Sequence, residues 1–212
     1  MNLIMRVPLV GSAEQTARLQ SLQVAFAQVC NALAPIVQQT RCWNRVALHH
    51  MVYKRLREQF PQMGSQMVCN AIYSVSRTSR LVFQHPQSPL NLSRLGAQPL
   101  PLLKFSDNCP VYFDRHTLSV KAGELSMYTL DGRMRFQLAL KPADEANFHE
   151  KKLREIVLAR NPEGLFELAF WFDVAPNDPL TEAAQGVDGG GEPALSGSSP
   201  LPEYLIVEET TQ

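Results

Sequence analysis

The chain has 212 residues, of which 45% are hydrophobic and 19% are charged. This length allows one large or two small domains, and the composition is that of a globular protein with a sizeable core. No apolar run is long enough to cross a bilayer. Arg6 interrupts the apolar N-terminus, and no basic segment precedes it. We therefore expect neither a membrane span nor a secretory signal, and we expect a cytoplasmic protein.

The formal net charge of zero conceals a strong asymmetry. Residues 1–160 contain all 20 basic residues and 10 of the 20 acidic ones, so they carry +10, and residues 161–212 carry −10. A basic body with an acidic tail is typical of proteins that bind polyanions. The alternative is a solvated surface followed by a disordered end, and charge alone does not decide between the two.

Cysteine and histidine spacing does not favour a metal site. The four cysteines are Cys30, Cys42, Cys69 and Cys109. They include no Cys-x-x-Cys pair, which zinc fingers and ribbons normally need. The doublet His49-His50 falls in a predicted helix, where neighbouring side chains point in different directions. We therefore expect free thiols, no metal and no cofactor.

Apolar spacing predicts one strand and three helices in the first 84 residues. Residues 3–9 form the strand. The first helix begins with a capping box at Ser12, and we expect Pro35 to end it. A second helix covers about residues 46–60 and a third about residues 65–81.

The second and third predicted helices carry most of the candidate nucleic-acid contacts. Between residues 41 and 81 there are seven basic residues and one acidic residue, Glu58, with aromatic residues interleaved. Aromatic rings that stack on bases beside cations that contact phosphates commonly hold single-stranded RNA or DNA. The candidates are Arg41, Trp43, Arg45, Tyr53, Lys54, Arg55, Arg57, Tyr73, Arg77 and Arg80.

Each of these features also has an ordinary structural explanation. The basic stripe of His50, Lys54 and Arg57 fits a solvated helix face equally well. Arg77 and Arg80 lie near the predicted end of the third helix, where cations stabilise the helix dipole. The aromatic rings could simply complete the helical core.

From about residue 100 the apolar period changes from helical to two. Residues 85–99 are rich in Pro, Ser, Asn and Gln and are predicted to be a linker. Strands are predicted at 111–113, 117–120, 125–130, 133–140 and 166–172. Asp131-Gly132 is a strong hairpin turn. Residues 151–160 are predicted to form a further strand, although their pattern also permits a short helix.

The strands after the linker add cations to the candidate set. In the second arm of the hairpin, Arg133 and Arg135 alternate with apolar residues, so one face of that strand is apolar and the other is cationic. The added candidates are Arg115, Lys121, Arg133 and Arg135.

The predicted fold class is α+β. The simplest architecture is a small antiparallel β-barrel formed by residues 1–10 and 100–175, with a helical insertion, 11–84, after the first strand. Residues 85–99 are the linker. Residues 176–212 are expected to be an acidic, disordered tail, with room for one more short strand at 204–207.

Several short segments in order resemble one protein family. A strand ending in Pro8-Leu9 precedes Ala13-Glu14-Gln15 and a helix with Cys30-Asn31, and residues 48–80 follow as a basic helical region. Later come the segments 113–120, 125–126 and 129–133 and the strand at 164–174. Over roughly the first 175 residues the chain resembles the transposon-encoded TnpB proteins, the presumed ancestors of the type V CRISPR nucleases.

The resemblance implies an RNA-guided role. Residues 48–80 look like the family's helical recognition region, and the strands after residue 113 look like its wedge-domain barrel. In such proteins these parts hold a guide RNA and its heteroduplex with DNA by backbone and shape, while base pairing reads the sequence. RNA, guide or structured, is thus the expected partner, and DNA is a second expected contact.

The chain departs from the family in its catalytic part. The family's nuclease domain follows the barrel and needs three convergent carboxylates to bind two metal ions. Too few residues follow Val174 to build it, and the zinc-ribbon cysteines are absent. We therefore expect no enzyme activity and a nuclease-deficient RNA-binding protein. The alternatives are the non-catalytic subunit of a split RNA-guided nuclease, with a catalytic partner chain, and a protein–protein adaptor or relic of a truncated transposon gene.

Overall fold

A computed structural model of the chain describes residues 2–173 and 201–208, which form an α+β fold with antiparallel sheets. The helices are α1 (Ala13–Thr40), α2 (Arg45–Gln59), α3 (Ser65–Gln84), α4 (Leu92–Leu95) and α5 (Pro142–Glu150). The strands are β1 (Asn2–Pro8), β2 (Leu102–Phe105), β3 (Val111–Phe113), β4 (Leu118–Lys121), β5 (Glu124–Thr129), β6 (Gly132–Gln137), β7 (Lys152–Arg160), β8 (Phe166–Asp173) and β9 (Leu205–Glu208).

The described strands form three sheets rather than one closed barrel. The largest has the order β1-β8-β7-β3, a second has the order β4-β5-β6, and β2 pairs with β9. A barrel requires continuous pairing around the sheet. Here β1 and β3 remain opposite edges of the first sheet. The first strand does join the later strands, since β1 pairs with β8 along its whole length. The predicted barrel is thus not confirmed.

Helix α1 confirms the predicted start and corrects the predicted end. Ser12 Oγ accepts a hydrogen bond from the backbone of Gln15 at 3.1 Å, and Gln15 Oε1 accepts one from the backbone of Ser12 at 2.9 Å. The prediction that Pro35 ends the helix is wrong, because the helix continues to Thr40. Val37, in the turn after the proline, is 2% exposed. Burial of this turn offsets the backbone hydrogen bond that proline removes.

The strand half of the sequence follows the prediction closely, but strand β2 and one helix were missed. The turn at Asp131-Gly132 joins β5 to β6, as predicted, and residues 152–160 are a strand. Helix α5 was not predicted, although Pro142 at its first turn and Asp144 near its N-terminus are ordinary start signals. The acidic tail predicted at 176–212 is described only over 201–208, where β9 forms on β2.

The segment predicted as a linker, 85–99, is anchored to the helical part. It contains α4, and Ser88 is buried and donates a hydrogen bond to the carbonyl of Val82. Arg94 in turn donates to the carbonyl of Ser88 at 2.9 Å.

The core joins the helices to the sheets. Helix α1 packs on α3 and β2, and α3 packs on α2 and β3. This packing sets one side of α3 against the edge of the four-stranded sheet. None of the helices in the described ranges is long and apolar enough to pass through a bilayer.

Candidate nucleic-acid interface

A cleft of about 440 Å³ lies between the helices α2 and α3 and the four-stranded sheet. One residue of α2, three of α3 and six from the sheet side line it. They are Arg45, Asn70, Tyr73, Arg77, Tyr112, Phe113, Asp114, Arg154, Glu155 and Trp171. Only Arg45, Tyr73 and Arg77 of the predicted contacts meet in this cleft.

Helical spacing explains the α3 side of the cleft. Asn70, Tyr73 and Arg77 are separated by three and four residues, so they project from the same side of the helix. The opposite side of α3 is apolar and packs into the core. The amphipathic pattern that packs the helix therefore also presents this polar row to the sheet.

Arg77 is held by an ion pair across the cleft. Its Nη1 lies 2.8 and 2.9 Å from the two carboxylate oxygens of Glu155 on β7, and Tyr73 Oη donates to the same carboxylate at 3.3 Å. Burial alone would lower the pKa of Arg77, but Tyr112, Glu155 and Tyr73 outweigh that effect and raise it above its ordinary value. Arg77 therefore stays charged and is largely neutralised by Glu155.

Two tyrosines and Arg45 form the aromatic wall. The rings of Tyr73 and Tyr112 meet edge to face, with centroids 5.4 Å apart, and the guanidinium carbon of Arg45 lies 5.3 Å from the Tyr73 centroid. Burial, then the nearby Glu155, raises the pKa of Tyr73, and burial raises that of Tyr112 well above its usual range. Both rings are therefore neutral donors at neutral pH.

The cations nearest to solvent in the cleft are Arg45 and Arg154. Arg45 is exposed and makes no hydrogen bond or ion pair within residues 2–173 and 201–208. Arg154 makes an ion pair with Asp173 at 3.1 Å, with 58% of its own side chain exposed. Such exposed pairs are weak and exchange readily for a stronger anion. Arg45 can therefore contact a phosphate directly, and Arg154 can do so by giving up its exposed ion pair with Asp173.

The acidic groups of the cleft have structural partners. Asp114 Oδ1 accepts hydrogen bonds from the backbone N–H groups of His116 and Thr117 at 3.0 and 3.1 Å, which fixes the turn between β3 and β4. Its other oxygen accepts from Gln66 at 2.5 Å. Glu155 is paired with Arg77. Asp114 and Glu155 therefore reduce the positive potential of the cleft, but neither forms an ion pair with Arg45 or Arg154.

Arg57 of α2 is not among the residues that line the cleft. Burial raises the pKa of the Cys69 thiol on α3; Arg45 and, more weakly, Arg57 oppose this rise, and Asp114 adds to it. The guanidinium of Arg57 also donates to the carbonyl of Met63.

The other α2 candidates have different surroundings. Lys54 and Arg55 are exposed, and neither has an ion pair or hydrogen-bond partner in the described part of the chain. Tyr53 is half-buried and stacks on His49 with ring centroids 4.6 Å apart. The ring that Tyr53 contacts is thus on its own helix.

The remaining three candidates of the helical half, Arg41, Trp43 and Arg80, also lie outside the cleft. Trp43 is 8% exposed and packs against Phe83 at a centroid distance of 5.4 Å, so it is a core residue, which corrects its predicted role in base stacking. Arg41 ends α1 and donates to the carbonyl of Gln98 at 3.2 Å. Arg80 is exposed; because α3 continues to Gln84, it does not cap the helix end.

A second cationic surface covers the outer face of the sheet β4-β5-β6. Arg133 donates to the hydroxyl and the carbonyl of Ser126 at 2.9 and 3.0 Å, and Arg135 makes an ion pair with Glu124 at 2.8 Å. Lys121 is exposed on the same face, at the position paired with Glu124. Arg115 is exposed in the preceding turn. Arg133 and Arg135 thus already have intramolecular partners.

Sequence reasoning missed most of the sheet side of the cleft. Arg154 and Glu155 lie on β7, next to a register shift that the pattern of residues did not reveal. Trp171 lies opposite Glu155 on β8, and alternation shows only that it faces away from Phe170 and Phe172. Only the tertiary structure shows which helix covers that face.

The lining supports binding of a polar, anionic ligand. In the ranges 2–173 and 201–208, no three His, Cys, Asp or Glu residues are grouped to hold a metal ion. Guanidinium groups, tyrosine hydroxyls and an amide are donors suited to phosphates and base edges. No family model matches the chain, and no curated protein matches its sequence.

Proposed function

We propose that this chain is a nuclease-deficient RNA-binding protein of the TnpB type, and that it holds a guide or structured RNA at the cleft between α3 and the four-stranded sheet. The single observation that supports this most strongly is that one cleft is lined both by two exposed guanidinium groups, Arg45 and Arg154, and by the aromatic wall. Guanidinium groups contact phosphates, and aromatic rings contact bases.

The cleft favours unpaired RNA over a duplex. Its volume of about 440 Å³ falls in the range of roughly 300–1,000 Å³ that is usual for small-ligand sites. Duplex nucleic acid is bound on extended surfaces, whereas unpaired bases can enter a pocket of this size. A duplex portion of the same RNA, or of DNA, would lie outside the cleft, along the exposed cations Lys54 and Arg55.

The wider charge pattern supports the same function. Residues 1–160 carry +10, which concentrates phosphates near the body before specific contacts form. We propose in addition that the three sheets correspond to the family's wedge-domain barrel. We also propose that the protein works in the cytoplasm and that the chain itself does not catalyse cleavage.

Fluorescence anisotropy with an unstructured labelled RNA tests the proposal. Replacing Arg45 and Arg154 together with glutamine removes two charges from the cleft and breaks only the exposed Arg154–Asp173 ion pair and the contact of Arg45 with the Tyr73 ring, so the variant should fold. We expect binding to weaken about ten-fold or more, and the slope of log K against log salt to fall by about 1.4, or 0.7 per lost contact.

The matched control changes the same charge elsewhere. Lys104 pairs with Glu208 across the β2-β9 sheet, with both side chains about half exposed, and Lys141 is exposed before α5. Replacing both with glutamine should lower affinity less than three-fold. Equal losses in the two double variants would show that only net charge matters and would overturn the cleft as the binding site.

Two other results would each favour a different function. Failure of the parent chain to bind any RNA at low salt would favour a protein–protein adaptor. Co-purification of a carboxylate-rich chain with nuclease activity would favour a non-catalytic subunit of a split RNA-guided nuclease.

A further inference from the structure

The cleft contains a buried amide whose hydrogen-bonding capacity is largely unused. Asn70 is 6% exposed and lines the cleft from α3. Within the described residues its side chain makes one hydrogen bond, from Nδ2 to the thioether sulfur of Met67 at 3.7 Å. A thioether is a weak acceptor, and an amide side chain offers two donors and a carbonyl acceptor.

Within the described residues, the amide oxygen of Asn70 is not among the buried side-chain atoms that lack a partner, so it remains accessible to solvent. Water on such a group can be replaced by a ligand that reproduces its hydrogen bonds. The amide carbonyl of Asn70 accepts no hydrogen bond from residues 2–173 or 201–208. Because Asn70 faces the cleft, a ligand there would complete its hydrogen bonds.

The groups around Asn70 match the parts of a nucleotide. An asparagine amide donates and accepts side by side, which is how it pairs with the edge of a base. The guanidinium carbon of Arg45 lies 5.3 Å from the centroid of the Tyr73 ring, and aromatic and guanidinium planes are groups on which unstacked bases stack. Arg154 on the facing strand is placed to contact the adjoining phosphate.

We infer that the cleft is a pocket for one unpaired nucleobase of the bound RNA, recognised through Asn70, and not merely a groove for the phosphate backbone. This inference rests on the proposed function and names the part of the RNA that enters the cleft. It predicts that affinity depends on the presence of a base at one position of the RNA. A site for phosphate alone would show no such dependence.

The first test scans abasic positions along a short bound RNA. For the parent chain we expect one position at which removing the base weakens binding about ten-fold, and little effect at distant positions. In Asn70→Ala the intact RNA should bind about ten-fold more weakly and the abasic penalty should shrink, because both changes remove the contact to Asn70 while only base removal also loses the contact to Tyr73. Asn70→Ser, which keeps a small polar side chain, is the second variant should Asn70→Ala fold poorly.

A second test needs no substitution in the cleft. Trp171 lines the cleft, and Trp43 is buried in the helical core, so a Trp43→Phe chain reports the cleft alone by tryptophan fluorescence. We expect adenosine 5′-monophosphate to change this signal saturably and to displace labelled RNA, and ribose 5-phosphate to do neither at the same concentration.

The outcomes separate the two proposals. RNA binding without any abasic-sensitive position, or equal effects of the nucleotide and the sugar phosphate, would overturn the base pocket and leave RNA binding intact. A chain that binds no RNA at all would overturn both.

Discussion

Replacing Glu155 with glutamine should destabilise the protein and at the same time tighten its binding to RNA. The carboxylate neutralises Arg77 through contacts of 2.8 and 2.9 Å, with only 24% of the arginine side chain and 13% of the glutamate side chain exposed. Glutamine keeps one acceptor oxygen but removes the charge. Arg77 then has a net charge that faces the cleft.

The cost in stability follows from the burial of this pair. Breaking a fully buried ion pair costs about 3–5 kcal/mol, whereas an exposed pair is worth about 0–1 kcal/mol. The Arg77–Glu155 pair lies between these limits and the amide keeps a hydrogen bond, so we expect a loss of about 2 kcal/mol. For a chain of this size that lowers the melting temperature by about 4–8 °C, measurable by calorimetry.

The same substitution should strengthen RNA binding, although it weakens the stability of the fold. A freed Arg77 adds one phosphate contact, which should tighten binding about five-fold at low salt and steepen the salt dependence by about 0.7. The matched control is Glu163→Gln, which changes the same charge in the exposed turn at the far end of the β7-β8 hairpin. It should leave the melting temperature unchanged and affinity within two-fold. A folded Glu155→Gln chain that binds RNA no better than this control would refute the assignment of the cleft.

Three further predictions concern stability. Burial raises the pKa of Tyr204 to about 12, so the folded state keeps a proton that the unfolded tyrosine loses near pH 10. The free energy of unfolding is therefore at its full value below pH 10 and falls as the pH rises toward 12. In urea titrations, Tyr204→Phe should make this fall less steep. Ser12→Ala removes the capping box of α1 and should cost about 1 kcal/mol in chemical unfolding, whereas no change would mean that the cap is not formed. Asn31 exchanges hydrogen bonds of 2.9 and 2.7 Å with the backbone of Phe105, so Asn31→Ala should cost about 1–3 kcal/mol and speed amide exchange at Phe105, and unaltered exchange there would contradict it.

Local patterns in the sequence predicted most of the elements. The capping box at Ser12, the turn at Asp131-Gly132 and the alternation in β6 each depend on residues close together in the chain. Pro35 misled because the burial of Val37, a tertiary effect, outweighs the local penalty. Local patterns also could not predict whether the sheet closes into a barrel. Periodicity shows which face of a strand is buried, but it does not show which strands pair with each other.

The same distinction explains the candidate site. Basic and aromatic residues at helical spacing identified Tyr73 and Arg77, which share one face of α3. The spacing did not separate Trp43, which completes the core, from Tyr73, which lines the cleft. Arg154 and Asn70 acquire their roles only where α3 faces β7, and the hydrogen bonds that join these elements link residues that are 78 and 82 positions apart in the chain.

Cross-linking maps the proposed RNA site most directly. The full chain would be bound to an unstructured RNA that carries 4-thiouridine, irradiated, digested and sequenced by mass spectrometry. We expect cross-links at Tyr73 and Trp171, which line the cleft, and their loss when Arg45 and Arg154 are replaced with glutamine. Cross-links confined to the outer face of the sheet β4-β5-β6, or unchanged in that variant, would contradict it.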